Sequence, residues 1–175
     1  MERVEQVIMF CDIANFMRLS TALGERMAEF VQAFYETAGE PIVRHGGRIL
    51  KYIGDSILSA FPRGGEREAV QCAIDSRRGF ADLLKRYSVD EGAKLGAAIS
   101  SGTVTRGLFG HGSLKLDDLM GEAVAHASIL TRFGGITITE KVRDAVAGRF
   151  STEELPPVPL KWKNETLRAW AVVEG

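Results

Sequence analysis

The sequence lacks the features that mark several large classes of protein. Only two of its 175 residues are cysteines, Cys11 and Cys72. Their spacing is not that of a metal site, so we expect two reduced thiols in the core. No apolar run approaches the ~20 residues that a membrane span needs. The formal net charge is −1, which gives no general basic field to attract nucleic acid or an anionic membrane. We expect neither as a partner.

What remains is the composition of a globular protein. Hydrophobic residues make up 45% of the chain, enough for a single domain over residues 1–175 with a sizeable core. The N-terminal stretch MERVEQ is charged and leads directly into an apolar segment, which is unlike a secretory signal. We therefore expect a cytoplasmic protein.

The spacing of the apolar residues predicts hairpins that alternate with helices. The apolar run EQVIMFCDI predicts a first strand buried on both faces. Gly54-Asp55 is a common hairpin-turn pair, and we expect Ser101-Gly102 to join two further short strands. Thr139 is the predicted N-cap of the last helix. The predicted helices are residues 24–45, kinked or divided by Pro41, then 66–87, 121–134 and 140–148.

The order of these elements predicts the fold class. Hairpins between helices favour an α+β fold with an antiparallel or mixed sheet and helices packed on one face. The βαβ-type spacing near the start is typical of a ferredoxin-like core. The tail, residues 158–174, is predicted to form a hairpin that turns at Asn164 and extends the sheet.

Two aspartates are the first candidates for chemistry. Asp12 ends the first predicted strand, and Asp55 lies in the turn between the next two. If they meet at one edge of the sheet, their carboxylates repel each other unless a cation lies between them. Carboxylate oxygens without His or Cys ligands suit Mg²⁺, which commonly binds one or two carboxylates plus phosphates. The alternative is two solvated aspartates that merely end strands, and periodicity alone does not decide between them.

Four segments of the chain carry a family resemblance. In order they are VIMFCDIANF, GGRILKYIGDSILSAF, AAISSGTVTRGLFG and DDLMGEAVAHASIL. They resemble the successive blocks of the class III nucleotidyl cyclase catalytic domain, the family of the adenylate and guanylate cyclases. The resemblance implies a ferredoxin-like α+β fold. It also implies conversion of a nucleoside triphosphate to its cyclic 3′,5′-monophosphate and pyrophosphate.

The resemblance also assigns roles to individual residues. Asp12 and Asp55 match the aspartates that hold two Mg²⁺ or Mn²⁺ ions in the family. There one ion lowers the pKa of the ribose 3′-hydroxyl and the other holds the triphosphate. Lys51 and Asp118 match the pair that selects the base, and an ammonium beside a carboxylate suits ATP. Lys161, or less well Lys163, lies where some members contact the triphosphate, although this segment also fits an ordinary basic surface hairpin.

Two positions depart from the family pattern. Seven and eleven residues after Asp118, the family has an asparagine that orients the ribose and an arginine that stabilises the transition state. This sequence has Ala125 and Ile129 there. Arg132 lies three residues beyond Ile129, nearly on the same helix face, and its side chain is long enough to reach back. We therefore consider Arg132 as a substitute for the missing arginine, against the simpler alternative of a surface arginine near a helix C-terminus.

The resemblance implies an assembly as well, because active sites in this family form between two chains. A domain of this kind would act as a homodimer with two equivalent sites. Three functions remain open at this point. The first is a cyclase that acts on ATP, with activity lowered by the missing residues. The others are a nucleotide-binding pseudo-cyclase with a regulatory or interaction role, and a cyclase for another base such as a pyrimidine.

Overall fold

An eight-stranded mixed sheet forms the centre of the computed structural model, which describes residues 1–174. The strands of this sheet are β1 (Glu2–Ala14), β2 (Arg48–Ile53), β3 (Ser56–Pro62), β4 (Lys94–His111), β5 (Leu114–Met120), β6 (Ile136–Thr139), β7 (Thr152–Glu154) and β10 (Ala169–Val172). The strand order is β2-β3-β1-β4-β6-β10-β7, and β5 pairs with β4 outside this path. Neighbouring strands are antiparallel except for β4 and β6, which are parallel.

Within residues 1–174, five α-helices connect these strands. The order from β1 to β4 is strand, helices, two strands, helix, strand, and β2-β3-β1-β4 lie side by side in the sheet. This is the ferredoxin-like arrangement, so the predicted α+β fold is confirmed. The helices are α1 (Phe16–Leu23), α2 (Met27–Arg44), α3 (Glu66–Tyr87), α4 (Glu122–Leu130) and α5 (Glu140–Ala145). Short 3₁₀ turns at residues 24–26 and 131–133 precede α2 and follow α4.

Helices cover both faces of the sheet, which corrects the expectation of a single helical face. Successive side chains of a strand point to opposite faces. From β1, Val7 and Met9 enter the main core with residues of α1, α2, α3 and α5. Ile8 points the other way and packs with Ala123 and Ala127 of α4. Because β1 is apolar on both faces, as its sequence predicts, each face needs a cover.

The segment from residue 94 to 111 is one continuous strand, so the predicted break at Ser101-Gly102 is wrong. β1 pairs with β4 without interruption from Glu2–Arg106 to Ala14–Lys94. Ser101 and Gly102 lie inside this ladder, and the partner strand keeps the chain extended there. The turn comes later, after His111, where β4 leads into β5.

The tail differs in part from its predicted form. β8 (Val158–Leu160) and β9 (Glu165–Leu167) form the expected hairpin, and Asn164 in its turn has a φ of 55°. This hairpin is a separate two-stranded sheet and does not extend the main one. The main sheet is instead continued by β10, which pairs with β6 and β7.

Three smaller features complete the comparison with the sequence. Pro41 lies inside α2, which continues to Arg44 without being divided. Cys11 and Cys72 are buried free thiols, and burial raises the pKa of Cys72 to about 12. Within residues 1–174, no helix is long and apolar enough to cross a membrane.

Candidate active site

Asp12 and Asp55 meet where β1 lies beside the β2–β3 turn. The pairing of β1 with β3 places Asp12 opposite Ser56, the residue that follows Asp55. The Ser56 hydroxyl donates to Asp12 Oδ1 at 2.6 Å. The backbone amide of Ile13 donates to the carbonyl of Asp55 at 3.3 Å. Two residues that are 43 positions apart in sequence are thus brought together by the strand register.

The electrostatics of this pair fit a site for a cation. Burial is the largest influence that raises the pKa of Asp55 above its ordinary value, and the negative charge of Asp12 and a hydrogen bond to it raise it further. A hydrogen bond from the Asp55 backbone acts in the opposite direction. A bound cation would relieve the repulsion between the two carboxylates.

The donor set indicates which cation this would be. Among residues 1–174, no cluster of three or more His, Cys, Asp or Glu side chains is placed to hold a metal. Two carboxylates alone suit an ion that also takes oxygens from phosphate and water, as Mg²⁺ and Mn²⁺ do. Asp12 and Asp55 therefore fit the ions that the sequence resemblance implies.

Lys51 and Asp118 form an ion pair between β2 and β5. The Lys51 ammonium donates to Asp118 Oδ2, across 67 positions of sequence. The other carboxylate oxygen, Oδ1, accepts from the backbone amide of Leu119 at 2.9 Å. The Lys51 side chain is 29% exposed and that of Asp118 only 7%. The two residues that sequence analysis assigned to base selection are therefore in direct contact.

Asp117, which sequence analysis did not assign, ties this region together. It accepts from Arg48 at 2.6 Å and from Arg106 at 2.7 Å, and so links β2, β4 and β5. Hydrogen bonds from Arg106 and then from Arg48 lower the pKa of Asp117 to about 2. A β-bulge in β2 between Ile49 and Lys51 places Arg48 and Lys51 on the same side of the strand, opposite Ala60 and Leu58. The only sequence signal for this network was the acidic dipeptide at 117–118.

The positions that depart from the family pattern lie on α4. Ala125 is half-buried. Ile129 packs against the apolar cluster around Ala98 and Leu130. Its side chain therefore contributes to packing, which explains an aliphatic residue there but provides no donor.

Arg132 and Lys161 lie apart from the two aspartates and from the Lys51–Asp118 pair. Arg132 is exposed, and its Nε donates to the carbonyl of Ile129 at 3.2 Å. Lys161 is exposed in the β8–β9 turn. Lys163 in the same turn pairs with Glu122 at the start of α4. No hydrogen bond or ion pair in the described part of the chain links Arg132 or Lys161 to the other candidate residues.

Comparison with known proteins places these observations in a family. Residues 1–172 match the family model of the adenylate and guanylate cyclase catalytic domain. The chain is 31% identical over 147 residues to an adenylate cyclase of Anabaena cylindrica, a match that covers 77% of this chain and 29% of that protein. It is 27% identical over 106 residues to adenylate cyclase 2 of Rhizobium meliloti, covering 57% of this chain and 29% of the relative. The matches thus span less than a third of each relative.

Solved structures share the fold. The adenylyl cyclase CyaB from P. aeruginosa superposes with a TM-score of 0.91 at 20% identity, covering 99% of this chain and 96% of that one. The guanylate cyclase domain of RhGC from Catenaria anguillulae in complex with GTP gives a TM-score of 0.83 at 21% identity, covering 99% and 98%. At these identities the similarity shows the fold alone. The similar structures include an adenylyl cyclase and a guanylate cyclase domain.

Proposed function

The chain belongs to the adenylate and guanylate cyclase catalytic domain family, and on that basis we propose that it converts a nucleoside triphosphate to a cyclic 3′,5′-monophosphate and pyrophosphate. The preferred substrate in this proposal is ATP. The observation that carries it is the contact between Asp12 and Asp55 at the end of β1. A pair of this kind suits a reaction in which the ribose 3′-oxygen bonds to the α-phosphorus and the bond to the departing pyrophosphate breaks.

The residues of this chain would divide the work as follows. Asp12 and Asp55 would hold Mg²⁺ or Mn²⁺, which when bound supplies positive charge for the triphosphate and the 3′-oxygen. Lys51 would donate to N1 of adenine, and Asp118 would accept from its exocyclic amine. Asp117 would not contact the nucleotide. Its bonds to Arg48 and Arg106 would hold β5 against β2 and β4, and so keep Asp118 in position.

The test of the proposal is a product assay. Purified protein is incubated with ATP, GTP, CTP or UTP and Mn²⁺, and the products are separated by chromatography. Cyclic AMP as the main product supports the proposal. Product from a pyrimidine triphosphate would instead support a cyclase with another base preference. Binding of nucleotide without any product would support a pseudo-cyclase, the alternative favoured by Ala125 and by the packing role of Ile129.

A homodimer forms part of the proposal, because the resemblance implies that the aspartates of each site come from one chain and the base-selecting pair from the other. β4 and β5 end in an arm with exposed apolar side chains, among them Leu108 at 64% and Leu114 at 66% exposure. Exposed apolar clusters commonly mark interaction surfaces.

We predict that sedimentation at micromolar concentration shows a dimer and that Leu114→Glu shifts it to monomer. Val43→Glu, at an exposed apolar position on α2, serves as the control, and monomer in the parent protein would contradict the prediction.

Arg132 is the proposed substitute for the missing transition-state arginine. We predict that Arg132→Ala lowers the rate of product formation at least about tenfold and leaves nucleotide affinity within a few-fold, as expected when a contact made only in the transition state is lost. Single-turnover kinetics with a parallel binding titration would measure both. Arg149→Ala removes another exposed arginine and should change neither. An unchanged rate of product formation in Arg132→Ala would contradict this role and indicate that Arg132 is only a surface residue.

A further inference from the structure

A side chain of α2 contacts the turn that carries Asp55. Gly54 and Asp55 are the two residues of this turn, between the paired ends of β2 and β3 at Ile53 and Ser56. The Tyr35 hydroxyl donates to the carbonyl oxygen of Gly54 at 2.6 Å, across 19 positions of sequence. Sequence analysis gave Tyr35 no role. This hydrogen bond ties a helix of the main core to the position of a candidate metal ligand.

The Gly54 carbonyl belongs to the peptide group that joins Gly54 to Asp55. A peptide group is planar, so the direction of its C=O fixes the direction of the N–H of Asp55. Burial is the main cause that raises the pKa of Asp55, and a hydrogen bond from its own backbone N–H to its carboxylate lowers it. One rigid group thus connects the hydroxyl of Tyr35 to the carboxylate that would hold the metal.

This peptide group has great conformational freedom unless something holds it. Gly54 has a φ of 60°, and glycine has more backbone freedom than any other residue. The common types of turn differ in the orientation of the peptide between their two central residues. A bond from a fixed donor to the Gly54 carbonyl selects one orientation of this peptide, and with it one placement of the Asp55 carboxylate.

Tyr35 is such a fixed donor. Its ring stacks on Tyr52 of β2, with centroids 4.2 Å apart and planes at 30°, and it packs against the main core. Burial is the main cause that raises the pKa of Tyr35, followed by the influence of Tyr52 and Asp55. A tyrosine hydroxyl is protonated at pH 7 even at its ordinary pKa of about 10. The hydroxyl therefore keeps its proton and donates it.

We propose that Tyr35 is a positioning residue for the metal site. Its hydroxyl holds the Gly54–Asp55 peptide so that the Asp55 carboxylate and Asp12 bind one divalent cation together. This role rests on the metal site of the proposed function. Groups that orient a metal ligand contribute about 10–100-fold to metal affinity. Because Tyr35 acts through a backbone group and not on the carboxylate itself, its contribution should lie at the lower end of that range.

Tyr35→Phe tests this role, because it removes the hydroxyl and keeps the ring that stacks on Tyr52. Mn²⁺ is titrated into the nucleotide-free protein, and the EPR signal of the hydrated ion reports how much Mn²⁺ remains free. We expect the affinity for Mn²⁺ to fall about tenfold. Raising the Mn²⁺ concentration by the same factor should restore the binding of ATP, because the site is weakened and not removed.

Tyr87→Phe is the matched control. The Tyr87 hydroxyl on α3 donates to Glu29 of α2 at 3.1 Å, and its ring packs on Phe30 with centroids 5.1 Å apart. The substitution therefore removes a comparable bond from the same helix, away from the two aspartates. Tyr87→Phe should bind Mn²⁺ as the parent does, and thermal unfolding should show a similar stability for the two variants.

The outcomes separate this role from the metal site itself. Parent-like affinity for Mn²⁺ in Tyr35→Phe would overturn the positioning role and leave the metal site standing. An equal loss of affinity in Tyr87→Phe would overturn it too, because the effect would then come from general stability. A parent protein that binds no Mn²⁺ would overturn the metal site and this role with it. If Tyr35→Phe does not fold, Tyr52→Leu decides: it loosens the ring of Tyr35, and an unchanged affinity there would contradict the proposal.

Discussion

Replacing Asp12 or Asp55 by alanine is expected to abolish the Mn²⁺-dependent binding of ATP while the protein stays folded. Loss of a group that merely supports a metal ligand costs about 10–100-fold in affinity, so loss of a ligand itself should cost more than about 100-fold. Folding should survive, because neither carboxylate belongs to the apolar clusters. Asp12→Ala also removes the charge that adds to burial in raising the pKa of Asp55. Titration of ATP in the presence of Mn²⁺ or of EDTA measures the effect.

The control for this experiment is another aspartate. Asp82 lies on α3 with its side chain 71% exposed and pairs with Lys85 on the same helix. Asp82→Ala should bind Mn²⁺-ATP as the parent does. Tight, Mn²⁺-dependent binding by Asp12→Ala or Asp55→Ala would show that the metal lies elsewhere.

Restoring the family residues on α4 is expected to raise turnover strongly. The double variant Ala125→Asn with Ile129→Arg would supply a ribose contact and a donor for the transition state. One preorganised donor of this kind is worth on the order of 10² to 10³ in rate. Ile129 packs against an apolar cluster at the end of the helix, and the long stem of an arginine can cover such a surface while its head stays in water. Steady-state rates of cyclic nucleotide formation would measure the gain.

The design of this experiment separates catalysis from folding. The same double substitution in the Asp12→Ala background should give no gain, because the metal site would be lost. Thermal unfolding of the double variant would report any cost of replacing Ile129. No increase in turnover, in a variant that folds and binds nucleotide, would favour the pseudo-cyclase.

Much of this fold could be predicted from local patterns. A few adjacent residues are enough to predict the strand β1, from its apolar run, and the β2–β3 turn, from the pair Gly54-Asp55. The apolar residues at helical spacing in α2 and α3 likewise predict these two helices. The position of Asp12 beside Asp55 follows from these elements, because a strand end and a hairpin turn meet when the sheet forms.

Features that depend on distant partners could not be predicted in the same way. The sequence of β5, LKLDDLM, has no clear strand pattern of its own. Its pairing with β4 makes it a strand. Ser101-Gly102 reads as a turn, but β1 holds it straight. The bonds of Asp117 to Arg48 and Arg106 likewise join segments far apart in sequence. The spacing of apolar residues along the chain gives no information about such contacts.

The ion pair between Lys51 and Asp118 has a consequence for which bases could enter. The two groups bond to each other, but the ammonium has two further donors and the carboxylate has further lone pairs. A base that meets both groups therefore needs an acceptor facing the lysine and a donor facing the aspartate. Adenine offers N1 and its amine in that order, and cytosine offers N3 and its amine in the same order. Guanine and uracil present a carbonyl and a ring N–H, which is the reverse order, and would leave both side chains facing like groups. If the pair contacts the base as proposed, it would discriminate amino bases from keto bases, and the size of the ring would have to separate ATP from CTP.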